Sequence, residues 1–372
     1  MKKHHIAMIA AGTVAAVALV AVPVENGLLG MHAVQSMLIK RGFRQVMQHN
    51  AAVAAMVDSP ELRVVLCGTG SPIPNAERAG PCAAVIAGGK IWLVDAGGGG
   101  WRNLMLWHLP VEKLAGVLLT HFHSDHIEDL GEANMQSWVA GRTAALPVYG
   151  GPGVDQVVNG FQAAYALDSG YRVRHHGAAV LPPSLGDMVP HVIESAPGVV
   201  LKEGETKTVL DQDGMQITAI GVNHFPVSPA YGYKFSYGGR SMVISGDTRE
   251  SPGLAEAAKG TDVLVHEAQA NDAVAQIRAL MADQGNSRMA KLLGDIQTYH
   301  TSPEGAARIA NQAGVKLLVL THLTPGLPGF LAQRMFMDPV NALRPSGSLL
   351  GHDGLMVSLP SGSDAVDVSD VK

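Results

Sequence analysis

The segment from His121 to His126, with the sequence HFHSDH, contains four side chains that are common metal ligands. Alternate side chains of an extended segment lie on the same side, so His121 and His123 can reach one metal ion. Asp125 and His126 follow and can serve a second ion nearby. Neutral imidazole and carboxylate suit Zn²⁺, and Fe and Mn accept the same donors. The segment therefore predicts a metal site built without thiolates.

Five candidate strands each end just before a His or Asp residue. The carboxyl ends of strands in α/β sheets are where these folds gather their functional sites. We therefore expect the side chains that follow these strands to meet at one edge. The strands are Gly116–Leu119, Gln216–Ile220, Ser241–Ile244, Val263–Val265 and Lys316–Leu320, and the residues after them are His121, His224, Asp247, His266 and His322.

Other short apolar runs and glycines predict the remaining framework of an α/β protein. The pair Gly88-Gly89 between two such runs is typical of a hairpin turn. Ser302 and Pro303 are a good N-cap and first residue for a helix, and Gly314 suits its end. Further predicted strands are 63–67, 83–87, 91–94 and 231–236, and predicted helices are 272–281 and 303–312.

Composition narrows the class of protein. Of the 372 residues, 47% are hydrophobic and 16% are charged, which allows a large core and excludes global disorder. The net charge of −5 and the lack of long Lys/Arg runs argue against a broad surface for nucleic acid, without excluding a local one. Because only Cys67 and Cys82 are present, a disulfide-dense scaffold and a four-thiolate zinc site are excluded.

The N-terminus has the character of a targeting segment. Lys2 and Lys3 precede an apolar run from Ile6 to Val24, which predicts a signal peptide or membrane anchor over residues 1–25. The basic flank predicts that the rest of the chain lies outside the cytoplasm, in the periplasm or medium or anchored at the membrane. A buried core helix is the alternative. Residues 26–59 are predicted to form an amphipathic connecting helix.

With these motifs the chain resembles the metallo-β-lactamase superfamily, in particular the subgroup of tRNase Z and the secreted arylsulfatase-like hydrolases. The resemblance covers about residues 62–358 and implies an αββα sandwich over residues 60–372, preceded by the N-terminal hydrophobic helix. It rests on the HFHSDH segment and on Gly68-Thr69-Gly70, Leu93–Gly97, Gly246-Asp247-Thr248, His266-Glu267-Ala268, His300-Thr301-Ser302 and Thr321-His322.

The resemblance implies a binuclear centre with two Zn²⁺ ions. Asp247 would bridge both ions, and a hydroxide between them would attack the substrate. Two ions about 4 Å apart lower the pKa of such a water and stabilise the leaving oxygen. The ligands would be His121, His123 and His224 for one ion, and Asp125, His126 and His322 for the other.

The resemblance also assigns roles around the two ions. His300 would stabilise the oxyanion or protonate the leaving group, although it could instead only cap the helix 303–312. Asp125 could accept the proton of the nucleophile while it remains a ligand. Asp95 and Glu267 are expected to orient ligand histidines or His300.

The sequence leaves the substrate less determined than the metal centre. Between residues 151 and 200 there is no lysine and there are only two arginines, which gives little support for binding a long polyanion. We therefore expect an aryl sulfate or a phosphodiester, a small anionic ester, as the substrate. The side chains expected to hold it, if they are not merely part of a solvated loop, are Arg172, Arg174, His175 and His176, with Tyr231 and Tyr233 as walls.

Three alternatives remain. A tRNase Z-type endoribonuclease is favoured by the 22-residue interval between His300 and His322, since 322 − 300 = 22. A lactonase or β-lactamase-like hydrolase would use the same metals. A non-catalytic scaffold is disfavoured because no ligand is lost. The N-terminal helix could bring the chain to a membrane, and a dimer is compatible with the sequence.

Overall fold

The computed structural model describes residues 34–42, 44 and 53–371, in a chain that divides into two units, residues 1–52 and 53–372. The predicted signal peptide or anchor over residues 1–25 lies outside the described residues. Within the predicted connecting helix, residues 34–42 and 53–57 are helical. Among the described residues, no helix has both the length and the apolar character needed to cross a membrane.

The larger unit contains an eight-stranded sheet with the strand order β15-β14-β1-β2-β3-β4-β5-β6. Strands β3 to β6 run parallel to one another, and β15, β14, β1, β2 and β3 form antiparallel pairs. The bounds are β1 Leu62–Gly68, β2 Cys82–Ala87, β3 Lys90–Val94, β4 Leu114–Leu118, β5 Leu146–Gly150, β6 Met188–Val192, β14 Leu355–Leu359 and β15 Asp367–Asp370.

A seven-stranded sheet faces it, with the order β13-β12-β11-β10-β9-β8-β7. Here β10 to β13 are parallel, while β7, β8 and β9 form antiparallel pairs. The bounds are β7 Thr206–Gln212, β8 Met215–Gly221, β9 Tyr231–Tyr237, β10 Arg240–Ile244, β11 Val263–Gln269, β12 Leu317–Thr324 and β13 Ser348–Leu350.

Helices cover the outer face of each sheet, which gives the predicted αββα layers. Helices α1, α3 and α4 lie on the first sheet's side and α5, α8 and α9 on the second's. The bounds are α1 Gly100–Leu106, α2 Ser124–Ile127, α3 Leu130–Ala140, α4 Val154–His176, α5 Pro252–Ala257, α6 Asn271–Asp283, α7 Ser287–Asp295, α8 Pro303–Ala313 and α9 Gly329–Leu343.

The core between the sheets follows from the alternation of side chains along each strand. In β9, Tyr231, Tyr233 and Phe235 are fully buried and point to the same side, where they belong to a core cluster that also includes Val64 and Leu66 of β1. Tyr231 donates its hydroxyl hydrogen to the carbonyl of Ile193 at 2.9 Å. The expectation that Tyr231 and Tyr233 wall a substrate pocket is therefore wrong, because both rings lie in the core between the sheets.

The segment for which a solvated loop was the alternative to a substrate-binding role is a helix. Residues 154–176 form the 23-residue α4, which begins after Gly153 in the left-handed region at φ +105°. Only Val154 and Val158 of this helix are buried. Such a helix shows little apolar periodicity, and Gly160 and Gly170 within it further weaken the helical signal.

Two strands are longer than predicted and include functional residues. Strand β11 continues through His266 and Glu267, and β12 continues through His322. Thr321 pairs with Glu267 and Leu323 pairs with Ala268, so His322 is the additional residue of a bulge. Its backbone lies at φ +49°. A bulge redirects one side chain without ending the pairing, and here it redirects His322.

Cys67 and Cys82 form a disulfide, which the sequence analysis does not predict. It connects the end of β1 to the beginning of β2 and closes a loop with a sequence separation of 15 residues. A closed loop has fewer conformations available in the unfolded chain, so the bond stabilises the folded state.

We expect replacement of both cysteines by serine to lower the free energy of unfolding by about 3 kcal/mol, the value for a loop of this length. Denaturant unfolding of the oxidised chain, the reduced chain and the Cys67→Ser/Cys82→Ser variant gives the measurement. The reduced chain should match the variant. Two reactive thiols in the unreduced, unfolded chain would contradict the disulfide.

Candidate metal centre

The predicted ligands converge at one edge of the sandwich, and both sheets contribute. His121, His123, Asp125 and His126 follow β4 of the first sheet. The other three lie on the second sheet and are not adjacent in sequence: His224 after β8, Asp247 after β10 and His322 within β12.

One cluster consists of His121, His123 and His224, whose nearest ligand atoms lie within 4.8 Å of one another. Nε2 of His121 and Nδ1 of His123 are 2.9 Å apart, and the rings of His121 and His224 have centroids 5.0 Å apart. This is the set of residues that the resemblance assigns to one metal ion.

A second cluster consists of Asp125, His126 and His322. Oδ2 of Asp125 lies 3.6 Å from Nε2 of His126 and 3.6 Å from Nε2 of His322. Ligand atoms around a tetrahedral zinc lie about 3.4 Å apart, since each is about 2.1 Å from the metal. The spacing therefore fits a shared ion.

Asp247 lies between the two clusters, and its side chain is only 4% exposed. Its Oδ2 is 3.9 Å from Nε2 of His121, 3.4 Å from Nε2 of His126 and 3.2 Å from Nε2 of His322. Contacts with histidines of both clusters are what a bridging ligand requires. Gly246 before it has φ +60°, and a side chain there would clash with the carbonyl of Tyr231.

Five buried atoms of these clusters have no hydrogen-bond partner, which tests whether a cation fits. They are Oδ2 of Asp125, Nε2 of His126 and of His224, and both ring nitrogens of His322. A buried polar atom without a partner costs free energy, and such atoms are rare in folded proteins. Divalent cations would satisfy the Asp125 oxygen and one nitrogen of each histidine, so the residues present fit the metal ions that the resemblance implies.

Hydrogen bonds behind the clusters hold the imidazoles in place. Asp95 accepts hydrogen bonds from the backbone N–H and the hydroxyl of Thr120, each at 2.8 Å, and its Oδ2 lies 2.8 Å from Nδ1 of His126. The Thr120 hydroxyl also lies 3.0 Å from Nδ1 of His121. These contacts leave Nε2 of both imidazoles directed at the cluster.

The electrostatics of the site favour a positive ion. Burial lowers the pKa of His224 to about 4, so its imidazole is neutral at neutral pH. Burial alone would also lower the pKa of His126, but the carboxylates of Asp247 and Asp95 raise it well above its usual value. Positive charge is thus favoured at the point where the two clusters meet.

His300 lies beside the clusters and is held by Glu267. Nδ1 of His300 is 2.9 Å from Oε1 of Glu267, which also accepts the backbone N–H of Thr248 and Thr301, each at 3.1 Å. Burial would lower the pKa of His300, but the Glu267 carboxylate raises it to about 9. Glu267 thus favours the protonated imidazole, the form that can donate a proton.

A cavity of about 350 Å³ opens onto the clusters. One part of its wall is formed by predicted metal ligands and His300, and the remainder is largely apolar. It is lined by Ser71, Pro72, Ile73, His123, Ser124, Asp125, Asp247, Gln269, Met289, Leu292, Leu293, Ile296, Tyr299, His300 and Thr324.

Four residues predicted to bind substrate are not part of this cavity. Arg172, Arg174, His175 and His176 lie in the last turns of α4, whose first turn lies against Phe122. At 1.5 Å per residue, these turns are about 30 Å from that contact. Arg172 pairs with Asp168 at 2.9 Å, the Arg174 guanidinium lies over the ring of Tyr171, and the rings of His175 and His176 contact each other.

Two residues at the site escape the sequence analysis. Thr120 links Asp95 to the imidazole of His121, and the carbonyl of Tyr299 accepts a hydrogen bond from Nδ1 of His224 at 2.9 Å. The position of Thr120 directly before His121 is a usable signal. No sequence signal identifies the carbonyl of Tyr299, because every residue has a backbone carbonyl.

The fold and the clusters together define a metal-dependent hydrolase of the metallo-β-lactamase type. Residues 92–323 match the beta-lactamase superfamily domain. Ribonuclease Z of Mycolicibacterium paratuberculosis is 38% identical over 269 residues, which covers 72% of this chain and 87% of that protein. Ribonuclease Z of Mycobacterium bovis is 38% identical over 272 residues, covering 72% and 88%. The chain belongs to the beta-lactamase superfamily and, within it, to the ribonuclease Z family.

Solved structures show the same fold at lower identity. The short form of human tRNase Z is 20% identical, with a TM-score of 0.56, over 80% of this chain and 99% of that one. The metallo-beta-lactamase fold protein YhfI from Bacillus subtilis gives the same values. None of these comparisons supports cleavage of aryl sulfates, the first of the two esters expected from the sequence.

We expect about two divalent ions per chain, measured by elemental analysis after dialysis against metal-free buffer. His224→Ala and His322→Ala should each lower the content by about one ion, because each removes a ligand of a different cluster. His175→Ala, an exposed residue of α4, is the matched control and should keep the wild-type content. One ion in the wild type, unaffected by His322→Ala, would contradict the second cluster.

Proposed function

We propose that this chain hydrolyses phosphodiester bonds of RNA, with the 3′ side of a tRNA precursor as the first substrate to test. The observation that carries the proposal is the pair of clusters joined by Asp247, with His300 beside them, in a chain 38% identical to enzymes named Ribonuclease Z. The tRNase Z alternative of the sequence analysis is thus better supported than the aryl sulfate.

The chain's own residues supply most of what the reaction needs. When bound, divalent ions lower the pKa of water and neutralise charge on the phosphate. His300 is held by Glu267, which favours the protonated imidazole, and would donate a proton to the leaving oxygen. Tyr299 orients the imidazole of His224 through its backbone carbonyl, and Asp95 does so for His126.

Asp125 is less suited to act as a base. Its pKa is lowered although burial opposes this, because it interacts with His322 and His126. A carboxylate that binds protons weakly is a good metal ligand. Asp125 is therefore better suited to bind a metal ion, and its role in accepting a proton remains a prediction.

Export of the enzyme is part of the proposal. Lys2, Lys3 and the apolar run Ile6–Val24 support it, and so does the Cys67–Cys82 disulfide, since such bonds persist in oxidising compartments. An exported enzyme of this family would meet phosphodiesters other than the precursors made in its own cytoplasm.

We expect the purified, metal-loaded chain to cleave a precursor tRNA and an aryl phosphodiester, and to lose both activities on chelation. Asp247→Ala should abolish turnover. His300→Ala should lower kcat about 10²- to 10⁴-fold, as loss of a general acid does, with unchanged metal content. The measurement is kcat and KM on each substrate, with aryl sulfate in parallel. Turnover of aryl sulfate alone would refute the proposed function.

We expect residues 1–57 to export a fused alkaline phosphatase, which is active only outside the cytoplasm. Val17→Asp/Val20→Asp interrupts the apolar run and should retain the reporter inside the cell. Lys40→Ala, a change outside the run, is the control and should leave export intact. Equal reporter activity with and without the two aspartates would exclude the run as an export signal.

A further inference from the structure

The apolar face of α7 is directed at the metal centre. Met289, Leu292, Leu293 and Ile296 are spaced at i, i+3, i+4 and i+7, which places them on one side of the helix and its following turn. All four line the cavity that opens onto His123, Asp125 and Asp247.

This apolar face is only partly covered by the protein. Met289 and Leu292 remain 42% and 48% exposed, and Ile73, from the loop that the disulfide closes, is 43% exposed. All three line the same cavity. Large apolar side chains grouped in a concave site beside polar chemistry are typical of a ligand pocket.

Hydrogen bonds fix the position of this apolar face relative to the metal ligands. The Asn286 side chain caps α7 by accepting the N–H of Met289 at 3.1 Å. At the other end, the side-chain amide of Gln269 donates to the carbonyl of Ile296 at 2.9 Å. Three residues further on, Tyr299 holds His224. These hydrogen bonds therefore hold the apolar face of α7 in a fixed position beside the metal ligands.

The charge and shape of the cavity indicate what this face contacts. Among the described residues that line it, none is Lys or Arg, so no side chain there pairs with a second phosphate. The ring of Tyr299 contributes an aromatic surface 4.6 Å from that of His224. A flat, neutral ring next to the scissile bond would match both features.

We propose that α7 and the turn after it, residues 287–298, form a subsite for a neutral aromatic group attached to the scissile phosphate, an aryl ring or a nucleobase. Met289 and Leu292 determine this preference. The inference rests on the proposed phosphodiesterase function and adds to it the kind of ester that the site selects.

Two esters with the same leaving group test the subsite. Bis(4-nitrophenyl) phosphate leaves an aryl group on phosphorus, whereas methyl 4-nitrophenyl phosphate leaves a methyl group. In Met289→Gln/Leu292→Gln, which keeps side-chain length and helix propensity, we expect the ratio of the two kcat/KM values to fall about tenfold, through KM of the aryl ester. Leu280→Gln, exposed on α6 and outside the cavity, should keep the wild-type ratio.

A binding measurement separates this inference from the activity. By calorimetry, the wild type should bind phenylphosphonate at least tenfold more tightly than methylphosphonate, and the double variant should lose that difference. Turnover of both esters with an unchanged ratio would overturn the subsite and leave the phosphodiesterase standing. Without any turnover the proposed function fails, and equal binding of the two phosphonates would then overturn the subsite as well.

Discussion

The structure depends on one electrostatic constraint, a carboxylate and several imidazoles buried together with lone pairs directed at the same point. Asp247 is nearly inaccessible to solvent and lies within 4 Å of His121, His126 and His322. Burial would raise its pKa, yet these histidines hold the pKa well below its usual value. Such a group is tolerable in a core only where positive charge compensates it.

Backbone irregularities meet this constraint at specific positions. His322 reaches the cluster because a bulge in β12 redirects it, at φ +49°, and Asp95 also lies in the left-handed region at φ +60°. Gly246 allows the chain to pass close to Tyr231 just before Asp247. Left-handed residues other than glycine cost free energy and concentrate where a site needs them.

The metal ligands can be predicted from the sequence because short sequence patterns identify them. The HFHSDH spacing and the strand ends bring His121, His224 and Asp247 to one edge, and family resemblance adds His300 and its partner Glu267. Sequence reasoning fails where tertiary context decides. Tyr231 could line a pocket or fill a core, and only the pairing of β9 shows that it fills the core.

The same limit explains why the residues predicted to bind substrate lie away from the cavity, and why the sequence does not reveal that α7 lines it. Arg172 to His176 carry suitable charges, but the long helix α4 takes them away from the cavity. The apolar spacing in α7 resembles that of any amphipathic helix. Its function depends on which part of the protein the apolar face is directed at. Two hydrogen bonds, from Gln269 and His224, fix that direction.

The division of ligands between the sheets has a mechanical consequence. Each cluster takes residues from the first sheet and one residue from the second, His224 in one case and His322 in the other. A bound ion would therefore add a link between two layers that hydrogen bonds already join at this edge, such as the one from the N–H of Tyr231 to the carbonyl of Thr120 at 2.9 Å. Metal binding would therefore complete the active centre and, in the same step, stabilise the folded state by connecting the two sheets at this edge.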